Sequence, residues 1–167
     1  MEYLYAPWRG GYIKDKIQLE KTGSCPFCIA LESSDDSYHF VLKRFSECAL
    51  LLNAYPYNPG HLLIIPRAHV ENLEDLTPSA RAQIMELTSK AIPVLEQTIK
   101  NTGTNIGINL GSRAAGGTIP EHLHVHILPR FEGDTNFLPA LAQTKQLSDD
   151  LKEVYSILYN AFNNVLV

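Results

Sequence analysis

Apolar and polar positions follow three different rhythms along the chain. Residues 48–53 and 61–66 are apolar runs separated by Tyr55-Pro56-Tyr57-Asn58-Pro59-Gly60, a turn-rich connector, and this predicts two antiparallel strands. Further on, Thr77 is suited to cap a helix with Pro78 at its first position, and Ala80, Ile84, Leu87, Ala91, Val94, Leu95 and Ile99 then recur at helical spacing. The spacing predicts a long amphipathic helix to about Asn101, with Pro93 expected to kink it near Ser89. Gly103 follows its end. Residues 105–110 read as a strand, 111–117 as a glycine-rich loop, and Leu123, Val125 and Ile127 alternate with polar positions in another strand. With Ser148 as cap, Leu151, Val154, Tyr155, Leu158, Phe162 and Val165 form the apolar stripe of a C-terminal helix. Antiparallel strands with segregated helices define an α+β fold class.

Composition narrows the class further. The 167 residues, 45% apolar and 19% charged, fit one globular domain. A chain of this length buries roughly 70% of the surface it exposes unfolded, so a core forms without cross-links. A net charge of -4 has the wrong sign for tracking a nucleic-acid backbone, and no nucleic-acid partner is expected. The apolar runs fall far short of the ~20 residues that cross a bilayer, so no membrane partner is expected either. The N-terminus, Met-Glu-Tyr-Leu-Tyr-Ala-Pro-Trp-Arg, carries no basic stretch and apolar block of a secretory signal, and the expected location is cytoplasmic. Residues 1–24 read as an arm leading into a Cys25-Pro-Phe-Cys28 turn. Three cysteines, two of them so spaced, suit thiolate chemistry in a reducing compartment better than a disulfide framework.

The histidines carry the strongest signal. In a strand, side chains alternate between faces, so His122, His124 and His126 leave one face, neighbouring rings about 7 Å apart, while Leu123, Val125 and Ile127 enter the core. A solvated polar face or a metal store is the plainer reading of such a row. The preceding loop, Gly111-Ser112-Arg113-Ala114-Ala115-Gly116-Gly117-Thr118, can turn successive backbone N–H groups towards an anion, and its glycines permit close approach of a phosphate. Nucleophilic attack at phosphorus needs both an imidazole with a free nitrogen and donors that stabilise added charge.

At His122-Leu-His124-Val-His126-Ile127-Leu128 the sequence resembles the histidine triad superfamily of nucleotidyl hydrolases and transferases. Residues 53–66 look like its nucleoside-binding hairpin, and Asn109 with the loop to Gly117 like its phosphate loop; Ala6-Pro7-Trp8-Arg9 and Gly133-Asp134-Thr135-Asn136-Phe137-Leu138-Pro139 are similar to the bacterial diadenosine tetraphosphate phosphorylase-like branch. The resemblance implies one domain over 1–167, with an arm to residue 24, a core over 25–130 and a C-terminal extension with a helix over 131–167. It implies a dinucleoside polyphosphate as substrate and a homodimer. His124 would take the nucleotidyl group, and His126 would donate to a phosphate oxygen or the leaving group. Asn53 would bind ribose hydroxyls, with an Asx-type turn as the alternative. His61 would lie near the site, with simple packing as the alternative; Asn109, Arg113, Gly116, Gly117 and Thr118 would line the phosphate. Hydrolase branches usually carry glutamine where this chain has Thr118. A hydroxyl offers one donor rather than two, which favours inorganic phosphate over water as the acceptor; a nucleoside phosphoramidate or dinucleoside polyphosphate hydrolase using water is the alternative.

Cys25 and Cys28 have the spacing at which two sulfurs reach one zinc, and they need two nitrogen partners. The resemblance implies His69 and His122 in a structural zinc site. A redox pair is the competing reading, although that motif opens a helix after a strand, which Thr-Gly-Ser does not suggest. Cys48 reads as a small core residue and His39 as a solvated or packed strand residue. Two further functions compete with the enzyme. One is a non-catalytic nucleotide-binding adaptor. The other is a catalytic zinc held by the three histidines, weakened because Glu121, the acid beside them, is expected to point to the opposite face.

Overall fold

A computed structural model describes residues 24–111, 115, 119–134 and 149–165. Its centre is a five-stranded sheet built from β1 (Val41–Arg44), β2 (Cys48–Leu52), β3 (Leu62–Pro66), β4 (Gly103–Ile108) and β5 (Val125–Arg130), in the order β1-β2-β3-β5-β4. Every neighbouring pair is antiparallel. The two predicted apolar runs are β2 and β3, paired from Cys48 opposite Pro66 to Leu52 opposite Leu62. The strand expected over 105–110 begins two residues earlier and stops at Ile108. The short strand β1 carries no strand signal in the sequence reading, and His39, expected in a strand, lies half-buried in the turn before it.

Strands β2 and β3 are buried at every position because both faces of the sheet are covered. Leu50, Leu52, Leu62, Ile64, Val125 and Ile127 face α2 (Pro78–Ile99) and α3 (Leu151–Val165). Ala49, Leu51, Leu63 and Ile65 face α1 (Pro26–Glu32), whose Phe27 and Ala30 complete a second, smaller core. Cys48 packs in the larger core, as expected.

Helix α2 starts as its sequence predicts, with Thr77 Oγ1 accepting from the Ala80 N–H at 3.1 Å. It runs as one helix through Pro93, with Pro93 and Ser89 both exposed, so water can meet the carbonyl that proline leaves without an intrahelical donor. Helix α3 buries Val154, Tyr155, Leu158 and Phe162. Its first amides are capped by Asp150, whose Oδ1 accepts from Lys152 N at 2.8 Å and Glu153 N at 3.2 Å; Ser148, the expected cap, lies outside the described residues. Val165 does not join the buried stripe and stays 60% exposed at the helix end. No helix among the described residues is long and apolar enough to cross a membrane.

Candidate active site

The site forms where β3 and β5 pair, on the face covered by α1. Gly60, at φ +74°, turns the connector into β3 and delivers His61 to the strand entrance. Across the pair His61 Nε2 lies 3.0 Å from His126 Nδ1, and the side-chain amide of Asn109, just past β4, lies 3.5 Å from His126 Nε2, where its oxygen can accept a hydrogen bond. Rings of His124 and His126 are 4.9 Å apart, closer than a regular strand repeat, because β5 begins only at Val125 and the chain before it is not a strand.

Hydrogen bonds to the backbone fix which nitrogen of each ring carries its proton. The Tyr57 N–H donates to His61 Nδ1 at 3.2 Å, so that nitrogen is the acceptor and His61 Nε2 bears the hydrogen. His61 therefore donates to His126 Nδ1, which leaves His126 with an Nε2–H pointing into the site. On His124, Nδ1 lies 2.8 Å from the His122 carbonyl oxygen and donates to it. Its Nε2 keeps a free lone pair. A neutral imidazole held in this tautomer is a nitrogen nucleophile, beside an imidazole that presents a proton.

Burial keeps these rings uncharged. His61 is pushed down to about 3 by burial and then by His126 and His124; His126 is pushed down to about 4 by burial and His124. Burial also lowers His124, against the opposing carbonyl bond. An unfolded histidine takes a proton near pH 6.5, so the stability His61 contributes is complete above that pH and falls as the pH drops from 6.5 towards 3. One proton taken up on unfolding gives a slope of about 1.4 kcal/mol per pH unit. Half-buried His126 adds a smaller, solvent-screened slope of the same sign. Urea unfolding between pH 7.5 and 4.5 is expected to show this slope in the wild type and lose about that amount in His61→Asn. Equal slopes would remove His61 as the titrating group.

A second cluster adjoins the first. Cys25, Cys28, His69 and His122 bring their ligand atoms within 4.8 Å of one another. Cys25 Sγ and Cys28 Sγ lie 3.3 and 3.6 Å from His122 Nδ1, Cys28 Sγ lies 3.3 Å from His69 Nδ1, and the two Nδ1 atoms are 3.2 Å apart. Leu123 N donates to Val70 O at 2.7 Å, which holds the chain before β5 beside the one after β3 and so brings His122 to His69. His122 Nε2 donates to the Pro66 carbonyl at 2.9 Å, aiming the Nδ1 lone pair at the thiols. Burial pushes the Cys25 thiol up to about 11, and a cation that takes a thiolate as ligand reverses that preference. These four residues can hold a metal ion.

The structure thus divides the predicted histidine row. His124 and His126 face the hairpin, whereas His122 turns into the thiol cluster. Asn53 sits at the end of β2, where both the turn and the site claim it: Oδ1 accepts from Tyr55 N at 2.9 Å and Nδ2 lies 3.2 Å from His61 Nδ1. Arg113, Gly116, Gly117 and Thr118 lie outside the described residues. The Cys-x-x-Cys segment is not a bare turn but the start of α1, with Cys25 as N-cap and Pro26 at the first position, a signal the sequence offered. Glu121 is not on the opposite face. It lines the same cavity as Cys25, Cys28 and His69, because it lies in the turn before β5, where strand alternation does not apply. Two aromatic neighbours escaped the sequence reading: Tyr57, 58% exposed and 5.0 Å from the His61 ring, and Phe27, buried against His122 and His124.

An antiparallel sheet with this order, covered by these helices, has the architecture of the HIT fold. The HIT domain model matches residues 34–133, and the chain belongs to the HIT family. It is 36% identical over 163 residues to an AP-4-A phosphorylase of Mycobacterium tuberculosis, covering 95% of this chain and 83% of that one. It is also 40% identical over 94 residues to the asymmetrical bis(5'-nucleosyl)-tetraphosphatase of Schizosaccharomyces pombe, covering 56% of this chain and 50% of that one. Among solved structures, a Zn-bound histidine triad family protein from Mycobacterium smegmatis superposes with a TM-score of 0.66 at 26% identity, covering 84% of this chain and 94% of that one.

Proposed function

We propose that this protein cleaves dinucleoside polyphosphates of the diadenosine tetraphosphate type through a nucleotidyl-histidine on His124, with inorganic phosphate as the acceptor. The observation that carries this reading is the 2.8 Å bond from His124 Nδ1 to the His122 carbonyl, which leaves Nε2 free to attack. In the first step Nε2 forms a bond to the α-phosphorus, the bond from that phosphorus to its bridging oxygen breaks, and ATP leaves. The Nε2–H of His126 donates to the oxygen that gains charge. In the second step a phosphate oxygen attacks the same phosphorus, the P–N bond breaks, and ADP leaves with His124 neutral again. Asn53 engages the ribose hydroxyls, Asn109 and His61 support His126, and Arg113, Gly116, Gly117 and Thr118 surround the phosphates. The AP-4-A phosphorylase likeness along 95% of the chain supports this substrate class.

The same reading gives the cluster of Cys25, Cys28, His69 and His122 a structural zinc. Bond lengths of roughly 2.0–2.3 Å place tetrahedral ligands about 3.3–3.8 Å apart, and four of the six separations, at 3.2–3.6 Å, are close to that spacing, the others lying within 4.8 Å. When bound, the ion ties α1 to the segments carrying His69 and His122. The thiol pair and its cage support a reducing, cytoplasmic location. Strand β4 lies at the edge of the sheet with Ile106 49% exposed, which supports pairing of two copies through that edge. One sheet shared by all strands among the described residues supports a single domain, which we take over 1–167 with arm 1–24, core 25–130 and extension 131–167.

Product analysis tests the chemistry. Diadenosine tetraphosphate with millimolar phosphate is expected to yield ADP plus ATP, and Thr118→Gln is expected to shift the products towards AMP plus ATP. AMP as the main wild-type product overturns phosphate as acceptor. No cleavage of any dinucleoside polyphosphate overturns the enzyme reading.

A further inference from the structure

Phe27 occupies a peculiar place in this molecule. It lies between the two thiols, in the first turn of α1, and is 8% exposed. Its ring meets the His122 ring edge-on at 5.5 Å and the His124 ring, tilted by 59°, at 5.1 Å. On its other side it belongs to the small core with Val41, Ala49, Leu51 and Leu63, so the rigid sheet backs it. The Nδ1 of His124 is already held by the carbonyl of His122, yet one hydrogen bond leaves the imidazole free to rock about that contact. A ring packed on its flank removes that freedom.

We propose that Phe27 is a positioning residue for the nucleophile: flanked by the Cys25 and Cys28 ligands, it wedges against His124 and fixes the direction of the Nε2 lone pair. The inference rests on the proposed role of His124 and extends it to a residue of α1 that need not touch the reacting atoms. The two routes from the metal-ligand cluster to His124, through the His122 carbonyl and through the Phe27 ring, meet on one imidazole. A misplacement of about 1 Å in a reacting group lowers rates by about 100-fold. Removing the wedge should therefore act on the chemical step rather than on substrate affinity.

The test uses full-length Phe27→Ala and Phe27→Leu, loaded with Co2+, whose absorption reports the thiolate and imidazole cage. Both are expected to keep the wild-type cobalt spectrum. Phe27→Ala is expected to lower kcat on diadenosine tetraphosphate by about 10- to 100-fold with KM changed less than about threefold. Phe27→Leu, which refills most of the small core, is expected to recover part of that loss. In 15N-histidine spectra, His124 is expected to show one sharp tautomer in the wild type and averaged nitrogens in Phe27→Ala. Should Phe27→Ala fail to fold, Phe27→Leu carries the same test, with a smaller fall in kcat and unchanged KM. Wild-type kcat in the folded, metal-loaded variant overturns the proposal, as does a rise confined to KM, which would make the ring a substrate contact. Failure of the nucleophile reading is separate: it shows as turnover in His124→Ala.

Discussion

His124→Ala is expected to lower turnover of diadenosine tetraphosphate by about 10⁴-fold or more while nucleotide affinity changes little. A nucleophile that forms and breaks the covalent bond in each half-reaction cannot be replaced by its neighbours, and residues that act as one unit lose most of the rate when any member is deleted. His126 cannot substitute, because its Nδ1 accepts from His61 and its Nε2 carries the hydrogen. On the proposed reading, ground-state affinity comes from groups the substitution leaves in place, Asn53 and Asn109 among them, so the loss is expected to fall on kcat. Single-turnover kinetics with labelled substrate, together with calorimetric titration of the product nucleotide, separate the two quantities. Comparable kcat in the variant and the wild type would move the protein to the class of nucleotide-binding adaptors.

The second large effect is expected from the metal-ligand cluster. A double Cys25→Ser, Cys28→Ser chain is expected to lose one zinc equivalent and to melt roughly 10 °C or more below the wild type, since metal binding to a folded cage adds directly to folding free energy. The change should be uneven within the molecule. The larger core between the sheet and α2 and α3 holds no member of the cluster, whereas α1, once the ligands are gone, is left with the small core of Phe27 and Ala30, the edge packing of Leu31 and the bonds from Arg44 to the Ala30 and Leu31 carbonyls. Activity is expected to fall with the metal, because His122 both enters the cage and offers the carbonyl that orients His124. Metal analysis beside calorimetry decides it. A double variant with a full zinc equivalent and an unchanged melting temperature removes the assignment.

What could be read from the chain alone follows the length of each pattern. Helix α2 was legible because Thr77 and Pro78 mark its start and seven apolar positions repeat behind them. Strands β2 and β3 were legible as apolar runs around a connector rich in proline and glycine. Four residues of β1 and seven of α1 are too few for a period to emerge, and β1 is further broken by a register shift between Val41 and Lys43. At the site, alternation placed Leu123, Val125 and Ile127 in the core correctly. It could not show His122 leaving the row, because that depends on Pro66 and Val70 from another part of the chain. The bond between His61 and His126 joins residues 65 positions apart, and no local pattern encodes it.

That separation has a consequence for how the molecule comes into being. The hairpin of β2 and β3 can close early, from neighbouring residues, but its partner β5 arrives only after α2 and β4 have been made. Closing so long a loop is entropically costly and slow compared with making the hairpin or the helix. Cys25 and Cys28 meanwhile wait near the start of the chain for His122, which emerges almost a hundred residues later in synthesis, 97 positions after Cys25. During synthesis, therefore, neither the pair of His61 with His126 nor the sulfur cage can form until the stretch carrying His122 and His126 has been made. Both depend on the same stretch of chain, the one that leads into β5 between β3 and β4.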